Sequence, residues 1–287
     1  MPHQADANAS SPRPMPSAPN APDSVAGERE PGQLVQPALA QRNERPMAQQ
    51  ANAPATRASV PFTLLTAVSA VLMLVELYLI FVHAPVERQM GIVQKIFYFH
   101  VPSAYMMYLG FGLSAVASAV YLAKRDDRWD AWAVAGAEVG AVFCLVVLLT
   151  GPLWGRKAWG TYWTWDPRIT TTLLAGMVYF AYLVLRSFGN TGEVEKRFAA
   201  GLSIFGLLDL PIIHYSVQRW RGTHPTVITG KGGGLHPDMY PALFVGFLLF
   251  TVLGVLLMWE RARVERLRQR VQSIEIEAAE RGLLEEA

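Results

Sequence analysis

Four of the eight tryptophans lie in one short stretch, Trp154-Gly155-Arg156-Lys157-Ala158-Trp159-Gly160-Thr161-Tyr162-Trp163-Thr164-Trp165-Asp166. An indole suits the boundary between membrane and water, because its body is apolar and its N–H needs a partner. One or two per helix end satisfy that boundary. Four in a single connecting loop make a surface, and a flat aromatic surface suits a flat ligand. Two histidines stand out beside it. His100 sits in Lys95-Ile96-Phe97-Tyr98-Phe99-His100-Val101-Pro102, and His214 in Leu210-Pro211-Ile212-Ile213-His214-Tyr215-Ser216. An imidazole embedded in such apolar, aromatic sequence must find a partner, since an unpaired buried polar group is costly. One neutral imidazole from each of two helices is the arrangement that ligates a planar metallo-macrocycle axially.

The rest of the chain must hold these residues at one level. Of 287 residues 52% are hydrophobic and only 17% charged, against roughly 25% charged in a soluble domain. The expected fold is therefore an all-α integral membrane protein. A span needs about 20 mainly apolar residues, and six runs meet that: 60–83, 98–123, 131–153, 169–188, 199–218 and 239–259. Residues 1–58 are rich in Pro, Ala, Ser, Asn and Gln and contain no aromatic residue. They read as a disordered tail, because they cannot bury enough surface to offset ordering. No early apolar core marks a signal peptide. Residues 59–260 form the membrane domain. Residues 261–287 read as a charged helix at the surface or continuing the last span. A net charge of +2 gives no case for nucleic acid, and the single Cys144 excludes a disulfide framework within the chain.

Lys and Arg near the helix ends set the orientation. Arg42, Arg45, Arg57, Lys124, Arg125, Arg128, Arg186, Lys196, Arg197, Arg261, Arg263, Arg266, Arg268 and Arg270 fall on one side. Arg88, Lys95, Arg156, Lys157, Arg168, Arg219, Arg221 and Lys231 fall on the other. The richer side is expected to be cytoplasmic, with both termini there and the Trp loop outside. His83, His100, His214, His224 and His236 then share the outer side. His83, His224 and His236 lie in or beside loops and read as ordinary interfacial groups. His100 and His214 flank the aromatic surface at one depth, with Arg156, Lys157 and Arg168 nearby. Heme presents an apolar face, an iron needing axial ligands and two propionates needing positive charge, so its coincidence with this set is the leading reading.

The pattern Trp154-Gly155-x-x-x-Trp159-Gly160-x-x-Trp163-x-Trp165-Asp166 resembles the tryptophan-rich signature of the cytochrome c assembly family of heme-handling membrane proteins. Phe99-His100-Val101-Pro102 before it and Leu210 to Val217 after it are similar to the heme exporter protein C type, as is the six-span length. The resemblance covers about residues 60–260. It implies a bacterial inner-membrane protein facing the periplasm, with His100 and His214 as axial iron ligands of heme b. Trp154, Trp159, Trp163, Trp165 and Asp166 would cradle the heme; by charge, Arg156, Lys157 and Arg168 suit either its propionates or lipid phosphate. It further implies that the heme passes to a membrane-anchored periplasmic heme chaperone. An ABC transporter ATPase, its membrane subunits and a small single-span subunit would complete the system. The protein would be a handling factor and not an enzyme; a heme ligase is disfavoured because the further spans and large outer domain of such relatives are missing. The chain departs from the pattern after Val217. Paired tryptophans and a Leu-His-Gln run are usual there, and here stand Gln218-Arg219-Trp220 and Gly222-Thr223-His224-Pro225.

Two other classes compete. A cytochrome b-like electron carrier also places histidine pairs between helices, but keeps its heme and needs no exposed Trp surface. A solute transporter needs broken helices at mid-membrane, for which only Asp209-Leu210-Pro211 offers a candidate. Asp209 is expected to relieve the Pro211 kink, and Glu76 and Glu138 to make polar contacts inside the bundle. Asp166 before Pro167 also suits a cap for the fourth span, and Cys144 a small core residue.

Overall fold

The structure, a computed structural model, describes residues 59–188, 192–220, 222–225 and 234–283. The expected tail over 1–58, with His3, lies outside the described residues. Among the described residues the architecture is all-helical, with an isolated bridge between Glu87 and Gly91 as its extended pairing. Six helical stretches are long and apolar enough to cross a membrane, as expected from the six apolar runs.

The helix α1 (Val60–Tyr78) starts with Pro61 in its first turn and continues as a π-helical turn over Leu79–His83. Only Ser69 and Glu76 of it are buried, while Leu72 and Met73 are half-buried against the core. Helix α2 (Phe97–Lys124) follows a 3₁₀ turn over Ile92–Ile96 and ends at Arg125 in the left-handed region, φ 57°. Asp126 caps helix α3 (Asp127–Trp159) by accepting from the Arg128 amide at 2.9 Å. Helices α2 and α3 cross backbone to backbone. A Cβ on Gly110 would stand 2.7 Å from the Gly140 Cα, and one on Gly136 would stand 2.7 Å from the Gly110 carbonyl oxygen. This small-residue crossing, spaced Gly136-x-x-x-Gly140, is a common way for membrane helices to approach closely.

Helix α4 is Pro167–Phe188. The expected fifth span is two helices, α5 (Glu193–Leu207) and α6 (Asp209–Trp220), joined at Leu208. Pro211 accounts for the break: it has no N–H for the Leu207 carbonyl, and its ring crowds that position. Asp209 opens α6 and is buried, with Oδ2 unpartnered among the described residues. Helix α7 (Tyr240–Glu280) is continuous over 41 residues. At 1.5 Å per residue it is roughly 60 Å long, about twice a hydrocarbon core of ~30 Å. The charged segment therefore prolongs the last span as one helix.

Ion pairs tie one end of the bundle. The buried Arg186 lies 2.8 Å from Asp130 and 3.4 Å from Glu265, and Lys196 lies 2.7 Å from Asp127. Glu138, expected inside the bundle, is half-buried and makes a two-pronged ion pair with Arg261. Glu76 is fully buried, with both carboxyl oxygens unpartnered among the described residues. Cys144 is buried beside Thr172. The opposite end is where the aromatic stretch lies.

Candidate functional site

The aromatic stretch is half helix. The sequence reads as a connecting loop from Trp154, yet α3 runs through Trp159 and stops at Gly160, φ 79°. Nothing before Gly160 forces an end, and a glycine in the left-handed region is a common stop. Trp154 and Trp159 thus stand on the last turns of α3, edge to face at 5.5 Å. Gly155 leaves the space that the Trp159 ring fills, since a Cβ there would come 2.9 Å from the ring. Trp163 and Trp165 stand on the following connection, again edge to face, at 5.6 Å.

A cavity of about 740 Å³ opens at this end between α2, α3, α4, α6 and α7. That is the size range of small-molecule and cofactor sites, ~300–1,000 Å³. His100, His214, Trp154, Trp159 and Trp163 all line it. Its other walls are mostly apolar, with Val101, Leu148, Ile169, Met239 and Phe247 among them. Trp163 is half-buried, and its indole N–H has no partner among the described residues. The set suits a flat, largely apolar group with a metal at its centre: three imidazoles, His100, His214 and His224, and three indoles line the cavity, with Glu87, Gln94, Arg168 and Gln218 as its other polar side chains outside the tyrosines and Thr172.

The two histidines are held differently. His100 Nδ1 lies 2.8 Å from Thr150 Oγ1 on α3. A Cβ on the next residue, Gly151, would stand 3.4 Å from His100 Cε1, so the ring packs on the backbone of α3. His214 is exposed. Its ring meets Tyr215 edge to face at 4.9 Å and makes no hydrogen bond among the described residues. Its own carbonyl accepts from Arg168 Nη2 at 3.1 Å.

Other residues named from the sequence lie off the cavity wall. Trp165 is 75% exposed. Arg156 and Lys157 are exposed on α3. Arg156 donates to the Gly160 carbonyl, closing the helix end, and its guanidinium lies 5.7 Å from the Tyr162 ring centre. Asp166 is buried and serves as an anchor. Its Oδ1 accepts from the Arg168 amide at 2.9 Å, capping α4. Its Oδ2 accepts from the Thr223 amide at 2.5 Å and hydroxyl at 3.2 Å. Asp166→Ala is expected to cost about 1–2 kcal/mol, the scale of a lost cap with an amide left unpaired. It should also loosen the segment around Thr223, seen as faster amide exchange at 222–225 with the core unchanged; unchanged exchange there would remove the anchoring role.

Sequence reasoning passed over two cavity residues. His224 reads as a loop histidine, but Asp166 holds its segment down and it lines the cavity. Its ring lies 6.3 Å from that of Trp159, and its Nδ1 is 3.3 Å from Arg168 Nη1 and 3.1 Å from the Pro225 carbonyl. Burial, and then the Arg168 guanidinium, hold its imidazole below the ordinary range, so it is uncharged at neutral pH. Arg168, which the sequence offers only as one of three nearby cations, is the one of them on the wall. Its Nε also faces the Ile213 carbonyl at 3.4 Å. The signal for it was its place two residues after Asp166; for His224 it was the Leu-His-Gln run usual in the resembled family. His83 ends the π turn, and the His236 ring accepts from the Asp238 amide in a 3₁₀ turn; neither lines the cavity.

Comparison with known proteins gives the family. A family model described as heme exporter protein C matches residues 47–277. Heme exporter protein C of Bradyrhizobium diazoefficiens is 38% identical over 200 residues, which are 69% of this chain and 76% of that one. The protein of the same name from Escherichia coli K12 is 34% identical over 171 residues, 58% of this chain and 69% of that one. That of Haemophilus influenzae is 30% identical over 194 residues, 65% of this chain and 76% of that one. The match takes in all six spans with both histidine-bearing helices and the aromatic stretch between them, and on that extent the chain belongs to the heme exporter protein C family.

Proposed function

We propose that this protein receives heme as cargo at its aromatic end and presents it for transfer during cytochrome c maturation. The observation that carries the reading is the convergence of His100, His214, Trp154, Trp159 and Trp163 on one cavity. His100 and His214 would ligate the iron, and the indoles would cover the faces of the macrocycle. Arg168 would meet a propionate, being the cation on the wall. The cargo is heme b, whose unaltered side groups leave it free for later attachment. Positive charge is richer at the end opposite the cavity, which supports an outward, periplasmic site in a bacterial inner membrane. The acceptor is a membrane-anchored heme chaperone, with an ABC transporter ATPase, its membrane subunits and a single-span subunit as further partners. The protein performs no bond chemistry of its own in this scheme; its residues bind, orient and release. A permanently loaded electron carrier would have no use for an iron ligand at the exposed rim, where His214 stands.

Binding and hand-over separate on the two outer tryptophans. Trp163→Ala, on the wall, should weaken heme uptake by the purified chain about 5–150-fold, the scale of a lost indole contact of ~1–3 kcal/mol. Trp165→Ala, off the wall, should leave uptake within about twofold and slow transfer to an added chaperone. The checks are a heme titration followed at the Soret band and a transfer assay with the purified chaperone. Equal uptake by the Trp163 variant and the unaltered chain would remove the wall residues from the heme site.

A further inference from the structure

Thr150 stands between two acceptor-rich neighbours. Its Oγ1 is 2.8 Å from His100 Nδ1 and 2.6 Å from the Val146 carbonyl oxygen one turn back. A hydroxyl carries one proton. If that proton went to His100 Nδ1, two oxygens with only lone pairs would face each other across 2.6 Å. If it goes to Val146, both contacts are hydrogen bonds: Thr150 donates to the carbonyl and accepts from an Nδ1–H on His100. A neutral imidazole protonated on Nδ1 keeps its free lone pair on Nε2.

We infer that Thr150 is a positioning residue that holds His100 as the Nδ1–H tautomer, leaving Nε2 ready to take a metal. Gly151 supports it by letting the His100 ring lie against α3. The use of that lone pair for heme iron rests on the function proposed above; the placement of the proton does not. A ligating imidazole whose other nitrogen donates a hydrogen bond is fixed in orientation and made more basic, and losing that bond typically costs about 10–100-fold in metal affinity. His214 has no such partner among the described residues and is exposed.

The test uses the full chain in lipid nanodiscs, labelled with ¹⁵N on histidine and free of heme. Long-range ¹H–¹⁵N correlation reports the tautomer, with the His100 signals identified by their loss in His100→Ala. The unaltered chain and Thr150→Ser should show the proton on Nδ1, and Thr150→Val should show a shift toward Nε2–H. A proton on Nε2 in the unaltered chain overturns the inference, as does an unchanged tautomer in Thr150→Val. Hemin titration then gives the consequence. Thr150→Val should bind about 10–100-fold more weakly with a raised midpoint potential, and Thr150→Ser should match the unaltered chain. A serine variant as weak as the valine one would show that packing, not the hydroxyl, matters, and would overturn the positioning role. An unaltered chain that takes up no heme would sink the functional reading while leaving the tautomer result to stand.

Discussion

His100→Ala is expected to yield a purified protein without bound heme, whereas His214→Ala should retain a weaker, spectrally altered complex. The difference follows from how each imidazole is held. His100 is locked by Thr150 and packed on α3, so its loss removes the one ligand that needs no ordering before it binds. Pre-organised groups bind more tightly because their freedom is already spent. Affinity in His100→Ala should fall by more than the roughly 10–100-fold that follows loss of a ligand's supporting hydrogen bond. His214 is exposed and its ring unbonded among the described residues, so its ordering already costs something on binding. Removing it leaves iron on His100 alone, with the second axial position open. Added imidazole should then restore the two-histidine spectrum in His214→Ala, and not in His100→Ala. The measurements are heme content after gel filtration and the visible spectrum with and without imidazole. Equal heme content in both variants and the unaltered chain would sink the ligand assignment; equal loss in both would sink only the inequality.

The second large effect lies far from the cavity. Gly136→Leu should sharply lower the amount and thermal stability of folded protein and abolish heme uptake with it. At this crossing backbone meets backbone. A Cβ on residue 136 would come 2.7 Å from the Gly110 carbonyl oxygen and 2.8 Å from the Ser114 amide nitrogen, and neither can rotate away. Overpacking in a well-packed core typically costs about 1–3 kcal/mol when side chains can adjust. Here the two helices must separate, so the cost should reach or exceed the top of that range. The site follows because α2 carries His100 and α3 carries Thr150, Trp154 and Trp159. Residue 150 lies ten residues beyond Gly140, ~15 Å along the helix, and a splayed crossing moves it away from His100. Gly112→Ala is the control, since a Cβ there meets nothing within 4 Å. Detergent-resistant melting of tagged protein measures both. Gly136→Leu melting with the unaltered chain would show that the crossing does not hold the site together.

The six spans were legible because hydropathy is a local property: twenty apolar residues announce themselves wherever they pack. The tryptophans, His100 and His214 were legible for the same reason, as unusual residues at the ends of such runs. The limits of α3 were less so. Gly155 and Gly160 look alike in sequence, yet Gly155 lies inside the helix under the Trp159 ring, and Gly160 ends it. The break in the fifth span could be suspected from Pro211, but not that Leu207 and Asp209 would bound it.

Which residues share the cavity depended on contacts distant in sequence. Asp166 reaches across 57 residues to Thr223, and that bond brings His224 from a loop onto the wall. Arg168 does so across 45 and 46 residues, through carbonyls that no side-chain pattern records. Arg156, Lys157 and Arg168 have equal claim to a propionate by charge alone. Helical rotation and the turn at Gly160 leave the first two exposed and the third on the wall. Residue types and spacing thus identified a membrane bundle with an aromatic, histidine-bearing end. Only the packing of α2 on α3 and of the 222–225 segment on Asp166 decided which of those side chains face one another, because such contacts arise between segments and leave no mark in either one.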